Sequence, residues 1–226
     1  MKRVTTLLIV LISTVMIAQT TPQPTVDVTG VGIVNIVPDH VTVSVRVENT
    51  GKDAKLVKQL NDAAISEVFS FMKSMKIDDK DIQTEYIRLS KNYEYNTKTY
   101  NYAANQSMKI KLRDLSQYEK LMNGLLQSGI NRIDGVSFAS SEVKQLESQA
   151  RKNAMLNAKM KATEYAGALN QTIGKALSIS EFNQGNPSPP MYKRAMAMSD
   201  ESGGGQTIAP GELEVRVTVN VSFVLN

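Results

Sequence analysis

The alternation of apolar and polar residues predicts seven strands and three helices in this chain of 226 residues. Strict alternation indicates a strand with one buried face, whereas apolar residues three or four positions apart indicate one face of a helix. The predicted strands cover 26–37, 40–48, 82–95, 100–112, 133–139, 173–182 and 213–225. The predicted helices cover 54–75, 115–128 and 141–170. This order, ββαββαβαββ, predicts an α+β fold, a largely antiparallel sheet with helices packed on one face.

The first two strands carry turn and glycine signals. Pro38 and Asp39 predict a turn that joins the strands in a hairpin. Gly30 and Gly32 indicate either a bulge or a close approach of another backbone to the first strand. The alternation of strand pairs and helices also leaves open a pseudo-repeat of two α/β halves, although no clean sequence repeat is visible.

The helices have recognisable ends and faces. Asp53 is a suitable N-cap, Ser116 with Glu119 matches a capping box, and Gly129 is a typical helix stop. The apolar stripe expected on the first helix is Val57, Leu60, Ala64, Val68, Phe71 and Met75. The buried face expected on the long third helix is Val143, Leu146, Ala150, Ala154, Ala158, Ala162, Tyr165 and Leu169.

Residues 1–18 have the pattern of a secretory signal peptide: two basic residues, an apolar run and Ala18 at the cleavage position. The alternative is a membrane anchor, but the run Val4 to Ile17 is shorter than the ~20 residues that span a bilayer. We therefore expect export to the periplasm or cell envelope, with no transmembrane helix after cleavage. Residues 19–226 are then expected to form a single α/β domain with a long loop at 183–212.

Composition and charge narrow the chemistry. The chain has no cysteine and one histidine, which excludes disulfides, thiol catalysis and multi-histidine metal sites. Loss of the two basic residues of the signal peptide lowers the net charge from +4 to +2. Such a charge does not favour a nucleic-acid partner. No nucleophile elbow, phosphate loop or zinc motif occurs in the sequence.

Two groups of polar residues have the composition of possible functional sites. Asp39 beside His40 has the composition of a base with its orienting carboxylate, but a histidine at a strand start after a turn is the simpler interpretation. Asp78, Asp79 and Asp81 have no glycine turn between them, so we expect a solvated loop rather than a calcium site. The sequence therefore predicts no catalytic residue, no bound cofactor and no metal.

Four tyrosines stand at the tip of the predicted hairpin between the third and fourth strands. They are Tyr93, Tyr95, Tyr100 and Tyr102. Two interpretations remain open: cross-strand pairs that stabilise the tip, or an exposed surface for self-association, since tyrosine is enriched at interfaces. The second would make another copy of the chain the partner.

The 183–212 loop carries a second set of candidate contact residues: Met191, Tyr192, Met196 and Met198. We expect them to be apolar anchors that dock on another copy or on another envelope protein. Weaker alternatives are Cu(I) binding by the thioethers and oxidant scavenging through sulfoxide formation.

Several segments together resemble the SIMPL-domain family of exported bacterial proteins, the YggE-like group. The resembling segments are VTGVGIVNIVPDHVTVSVRVENTGKDA (within 26–54), DKDIQTEYIRLSKNYEY (79–95), GINRIDGVSFASSE (129–142), ARKNAMLNAKMKATEYAGAL (150–169), GKALSISE (174–181), and PPMYKRAMAM followed by TIAPGELEVRVTVNVSFVL (207–225). The family-like positions are Gly30, Gly32, Pro38, Asp39, Asp81, Gln83, Thr84, Gly135, Ala209, Pro210 and Gly211, which are turn, bulge and strand-start residues. The chain departs from the family pattern at Gly203, Gly204 and Gly205, which puts in doubt an interface at that end of the loop.

The resemblance implies an envelope-associated α/β protein without assigned catalytic residues. It also implies large ring-like or channel-like homo-oligomers for some members and a link to oxidative-stress tolerance. We therefore expect a non-enzymatic protein that assembles with itself. The alternative is a monomeric binding or adaptor module, with its site between the sheet and the long helix.

Overall fold

The computed structural model describes residues 23–181 and 208–226. The strands are Thr25–Ile36 (β1), His40–Gly51 (β2), Ile82–Glu94 (β3), Thr99–Leu112 (β4), Arg132–Ala139 (β5), Ile173–Glu181 (β6) and Leu213–Leu225 (β7). The helices are Ala54–Ser74 (α1), Tyr118–Gln127 (α2) and Val143–Ala168 (α3). The predicted order and the α+β class are confirmed. The predicted signal peptide lies outside the described residues.

The strands form two sheets rather than one. β3, β4, β2 and β5 lie side by side in that order, and β1, β7 and β6 form the other sheet. The predicted hairpin of the first two strands is wrong, because β1 has β7 as its neighbour while β2 pairs antiparallel with β4 and β5. Alternation in a strand determines which side chains share a face, but it does not select the neighbouring strand.

The chain divides into two compact units. Among the described residues, one unit comprises 23–32, 150–181 and 217–226, and the other comprises 33–149 and 208–216. The expectations of a single domain and of a pseudo-repeat stay predictions.

The larger unit has the chain order βαββαβ, from β2 to β5. β4 lies between β2 and β3, which is the split βαβ arrangement of ferredoxin-like folds. Valines of β2 and apolar residues of β4 share one face, and side chains from α1 and α2 cover it. The fully buried members of this core include Val41, Val43, Val45, Val47, Val68, Met72, Met108, Ile110, Leu121 and Leu125.

The buried stripe of α1 is rotated from the expected one. Its buried residues are Val57, Asn61, Ile65, Val68 and Met72. Leu60, which was expected in the core, is 49% exposed. Asn61 takes the central position, where its Nδ2 donates to the backbone oxygens of Val47 at 3.0 Å and Ala104 at 3.3 Å. A polar residue is stable there because its amide bonds to the backbones of two strands.

The helix ends agree with two of three predictions. Asp53 caps α1, since its Oδ1 accepts a hydrogen bond from the backbone N–H of Leu56 at 2.8 Å. Gly129 stops α2 with φ 99°. The expected capping box of Ser116 and Glu119 is wrong, because α2 begins after a 3₁₀ turn whose cap is the carboxylate of Asp114.

In the smaller unit, α3 packs against β1 through small residues on both sides. A Cβ atom on Gly30 would lie 2.1 Å from the carbonyl oxygen of Ala154, and one on Gly32 would lie 1.9 Å from that of Ala150. The close backbone approach predicted for these glycines is therefore confirmed. The buried face of α3 is Ala150, Ala154, Ala158, Ala162 and Ala166.

Two members of the face predicted for α3 are exposed. Tyr165 is 56% exposed and Leu169 is 67% exposed. Helical spacing alone placed them with the alanines, but this spacing does not report where the covering sheet ends.

None of the helices in the described parts of the chain is long and apolar enough to cross a membrane.

Candidate functional site

The tyrosine hairpin, defined as the β3–β4 tip with Tyr93, Tyr95, Tyr100 and Tyr102, is an aromatic cluster. Tyr93 lies directly opposite Tyr100 in the β3–β4 register, with ring centroids 5.0 Å apart. Tyr93 and Tyr95 meet edge to face at 5.1 Å. Lys91 places its Nζ 4.1 Å from the centroid of the Tyr100 ring. Offset and edge-to-face contacts at these separations are the favoured geometries of aromatic pairs.

The same rings remain in contact with solvent. Tyr95 is 84% exposed, and Tyr93 and Tyr100 are about half exposed. Both sequence interpretations therefore hold for part of the cluster: the rings pair across the strands, and they present aromatic surface outward. The self-association role itself stays a prediction.

The strand that carries this cluster has an apolar run that the sequence analysis did not single out. Ile87 is 68% exposed, and Leu89 is exposed as well. Both point to the sheet face that α1 and α2 cover elsewhere, because Ile87 pairs with Gln106, which in turn pairs with Val47 of the core. The alternation of β3 contained the signal, but only the sheet order shows that β3 is at the edge, beyond the helices.

Asp39, His40 and Ser141 form the cluster closest in composition to a catalytic set. The carboxylate of Asp39 accepts hydrogen bonds from the backbone N–H of Ser141 at 3.0 and 3.1 Å, and from the Ser141 hydroxyl. His40 Nδ1 is also in hydrogen-bond contact with the Asp39 carboxylate. His40 is the first residue of β2, as the simpler interpretation held, and its ring also contacts the neighbouring carboxylate.

The carboxylate of Asp39 lies between the histidine and the serine, and this arrangement is unsuited to nucleophilic catalysis. Hydrogen bonds from the Ser141 hydroxyl and from His40 hold the pKa of Asp39 well below its usual range. The Asp39 carboxylate, which is the group that contacts the serine, is therefore a weak base. A serine nucleophile requires a neighbouring imidazole or amine to take its proton. The arrangement instead fastens the turn after β1 to the segment that leads into α3.

Asp81 is not the solvated residue expected from the acidic loop. Its carboxylate is buried and accepts two hydrogen bonds, at 2.7 Å each, from Nε and Nη2 of Arg113. The Arg113 guanidinium lowers the pKa of Asp81. Asp81 immediately precedes β3 and Arg113 immediately follows β4, so this ion pair closes the base of the hairpin that carries the tyrosines.

At Gly30 and Gly32 the backbone of β1 lies against α3, and the site expected between the sheet and the long helix stays a prediction. A shallow open depression lies among polar residues of β1, β6 and β7. Its polar lining is Asp27, Thr29, Ser178, Ser180, Asn220 and Ser222. Thr29 Oγ1 donates to Asn220 Oδ1 at 2.7 Å across it.

The candidate loop residues Met191, Tyr192, Met196 and Met198 lie outside the described residues. Within residues 23–181 and 208–226, acidic and histidine side chains form no group of three or more that could hold a metal ion.

Comparison with known proteins gives one family. The model of SIMPL, described as a protein of unknown function (DUF541), matches residues 26–223. The chain is 27% identical to the uncharacterized protein YggE of Escherichia coli strain K12 over 206 residues, covering 89% of this chain and 83% of YggE. It is 28% identical to the 26 kDa periplasmic immunogenic protein of Brucella melitensis biotype 1 over 220 residues, covering 91% and 86%.

A solved structure, the crystal structure of AtUAH in complex with glyoxylate, aligns at 12% identity and a TM-score of 0.24. The alignment covers 56% of this chain and 34% of that chain. A similarity at this level carries no argument about the present protein.

The family match spans nearly all of both units, and the two relatives align along most of their own lengths. This chain belongs to the SIMPL family.

Proposed function

We propose that this protein is an exported component of the cell envelope that acts by assembling with copies of itself and catalyses no reaction. The observation that carries the proposal is the tyrosine hairpin, an aromatic cluster that is ordered by its own ring contacts and still exposed. Tyrosine supplies a large contact area at low entropy cost, which suits an interface. The name of the Brucella relative, a periplasmic protein, supports the location in the envelope.

The ordering of the rings supports assembly more than the exposure alone does. Tyr93 touches two other rings, and Tyr100 is held between Tyr93 and the Lys91 ammonium group. Side chains that are already fixed lose little rotamer freedom when a partner covers them, so more of the contact energy remains as affinity.

The test is the absolute mass of residues 19–226, measured by light scattering after size exclusion. We expect a discrete multiple of the monomer mass. Changing Tyr93, Tyr95, Tyr100 and Tyr102 together to Ser should lower it, with the far-ultraviolet circular dichroism unchanged. A monomeric wild type would overturn the proposal, and an unchanged mass in the variant would remove the hairpin from it.

A matched control is available on α3 and the turn that follows it, where four large apolar residues are also exposed. These are Leu156, Met160, Tyr165 and Leu169. Changing all four to Gln removes a similar amount of exposed apolar surface while keeping good helix formers. The mass of this variant should equal that of the wild type.

The proposal extends to oxidative-stress tolerance, which the family resemblance implies. A strain lacking the protein should survive peroxide less well, and the wild-type chain should restore survival. The four-tyrosine variant should fail to restore it if assembly is required for this function. Full restoration by a monomeric variant would separate the stress role from assembly.

A second candidate function is a monomeric binding module, favoured by the polar depression of the smaller unit. Hydroxyl and amide groups there can both donate and accept hydrogen bonds. Thermal shift with a panel of sugars, amino acids and short peptides tests this. A true ligand at 100 times its dissociation constant stabilises by about 2.7 kcal/mol, and Asn220→Leu should abolish the shift.

A further inference from the structure

β3 has a neighbouring strand on one side only within the described residues, since β4 is its sole partner there. No hydrogen bond from another described residue reaches the outer edge of its backbone between Ile87 and Glu94. This stretch pairs regularly with β4, because the register shift of β3 falls earlier, between Thr84 and Tyr86. A long, regular and partly apolar edge of this kind is a template for another strand.

The sequence of this edge is complementary to itself when read in the opposite direction. In an antiparallel pairing of two copies of β3 with Lys91 on the two-fold axis, each residue lies opposite the residue equally far from Lys91 on its other side. The numbers of two opposed residues therefore add up to 182. The resulting pairs within β3 are Arg88–Glu94, Leu89–Tyr93 and Ser90–Asn92, and Ile87 lies opposite Tyr95, the first residue of the turn after β3. One charged pair has opposite signs, two pairs are apolar, and one is polar.

The faces of the sheet agree with this register. Directly opposed residues in antiparallel strands share a face, so the Leu89–Tyr93 pair lies on the side where the helices lie, as Ile87 does, and both polar pairs lie on the other side. Backbone groups that point to one edge belong to alternate residues. Two copies of one strand can therefore bond only in registers whose paired numbers have an even sum.

The two registers shifted by two residues from this one pair the charged side chains less well. A shift of two residues one way places Arg88 opposite Asn92, and a shift the other way places it opposite Asn96. Neither brings Arg88 to a carboxylate, so charge selects the register centred on Lys91. That register places two Lys91 side chains together, but each ammonium group lies over the Tyr100 ring of its own chain.

We propose that β3 of one copy pairs antiparallel with β3 of a second copy, about a two-fold axis through Lys91. This rests on the proposed function, because it names the strand and register by which the copies assemble. The contact is isologous, so it closes on itself and yields a dimer unless a second interface exists. The assembly therefore contains an even number of copies.

The absence of cysteine allows a direct test of the register. Two single variants, Ser90→Cys and Asn92→Cys, are oxidised separately and as a mixture. Opposed residues have Cα atoms about 4.5–5.5 Å apart, within disulfide reach, whereas residues displaced by two positions lie at about 7–8 Å. The mixture should form crosslinked dimers at least ten-fold faster than either variant alone.

Three other crosslinking results would overturn part of the proposal. Fast crosslinking of Ser90→Cys alone, or of Asn92→Cys alone, would overturn this register in favour of a neighbouring one. Slow crosslinking in all three samples, from a protein whose mass is that of an oligomer, would overturn the β3 interface and leave self-assembly standing. A monomeric mass would overturn both proposals. The control is Ser137→Cys on the exposed edge of β5, which should crosslink slowly.

Charge exchange supplies a second, independent test. Arg88→Glu or Glu94→Arg alone sets like charges opposite each other twice in each dimer and should weaken dimerisation roughly ten-fold. Combining both substitutions in one chain restores opposite charges and should recover the wild-type affinity. If the double variant is as weak as the single ones, the Arg88–Glu94 pairing is wrong.

Discussion

Two sheet edges in this protein are treated in opposite ways. The outer edge of β1 is closed by the side chains of α3: Asn157 Oδ1 accepts the backbone N–H of Val31 at 3.0 Å, and Lys161 Nζ donates to the carbonyl of Thr29 at 2.8 Å. The outer edge of β3 has no such contacts among the described residues. Covering an edge with a helix is one way by which proteins avoid strand addition.

The difference depends on how closely a helix can approach. The side chains of α3 reach the β1 edge because Gly30, Gly32 and the alanine face of the helix allow their backbones to come together. From Ile87 onward β3 carries large exposed side chains, and no hydrogen bond from a described helix reaches its outer edge. The comparison suggests that one edge is built for stability and the other for a partner.

The largest effect on stability should come from a larger side chain in β1, the strand whose outer edge α3 covers. Gly32→Val would place atoms against the Ala150 carbonyl, which only a shift of the helix can relieve. We expect a loss of about 3 kcal/mol in the free energy of unfolding, measured by urea denaturation. Gly167→Ala is the control, because a Cβ there has no heavy atom within 4 Å and should stabilise by about 0.5–1 kcal/mol.

The second largest effect on stability should come from the Asp81–Arg113 ion pair at the base of the β3–β4 hairpin. Asp81→Asn removes the charge that Arg113 binds and should cost about 1–2 kcal/mol at neutral pH. The folded pKa of Asp81 lies below its ordinary value. The stabilisation is therefore complete above pH ~4 and is lost as the pH falls through the folded pKa.

The Asp81→Asn variant should accordingly show a shallower loss of stability in acid than the wild type. Asp62→Asn is the control, because the Asp62–Lys58 pair on α1 is exposed on both sides and should contribute less than about 0.5 kcal/mol. Equal effects of the two substitutions would show that the ion pair does not hold the base of the hairpin.

Removing one side chain of α3 that covers the outer edge of β1 should have a smaller effect on stability. Asn157→Ala leaves the N–H of Val31 without its acceptor and should cost about 1 kcal/mol in urea denaturation. Leu156→Ala, next to it on the exposed side of α3, should change stability by less than about 0.5 kcal/mol. If Asn157→Ala is also neutral, the side chain does not close the edge in solution.

The smallest effect on folding should come from the tyrosine hairpin. Tyr93→Thr keeps a strand former but removes the ring contacts to Tyr95 and Tyr100. We expect a loss of about 0.5–1 kcal/mol under monomeric conditions, with a much larger loss of assembly. A loss above about 2 kcal/mol would identify the cluster as part of the folding core instead.

Much of the fold could be predicted from the sequence, because its signals are local. Alternation over β2 and β7 reports one buried face directly, and Asp53 and Gly129 act on backbone groups within a few residues. The tyrosine hairpin was also predictable, since a short turn leaves the two strands little choice of partner. The burial of Asp81 was not, because Arg113 is 32 residues away.

Local residue patterns are sufficient for the order and type of the elements and for the helix caps at Asp53 and Gly129, and they indicate a bulge or a close backbone approach at Gly30 and Gly32. These follow from period, turn chemistry and the absence of a side chain, all of which act over short distances. Long-range contacts are needed to show that β1 lies beside β7, that Asn61 bridges two strands, and that the outer edge of β3 is open among the described residues. Those outcomes depend on which distant segments become neighbours, which local residue patterns do not encode.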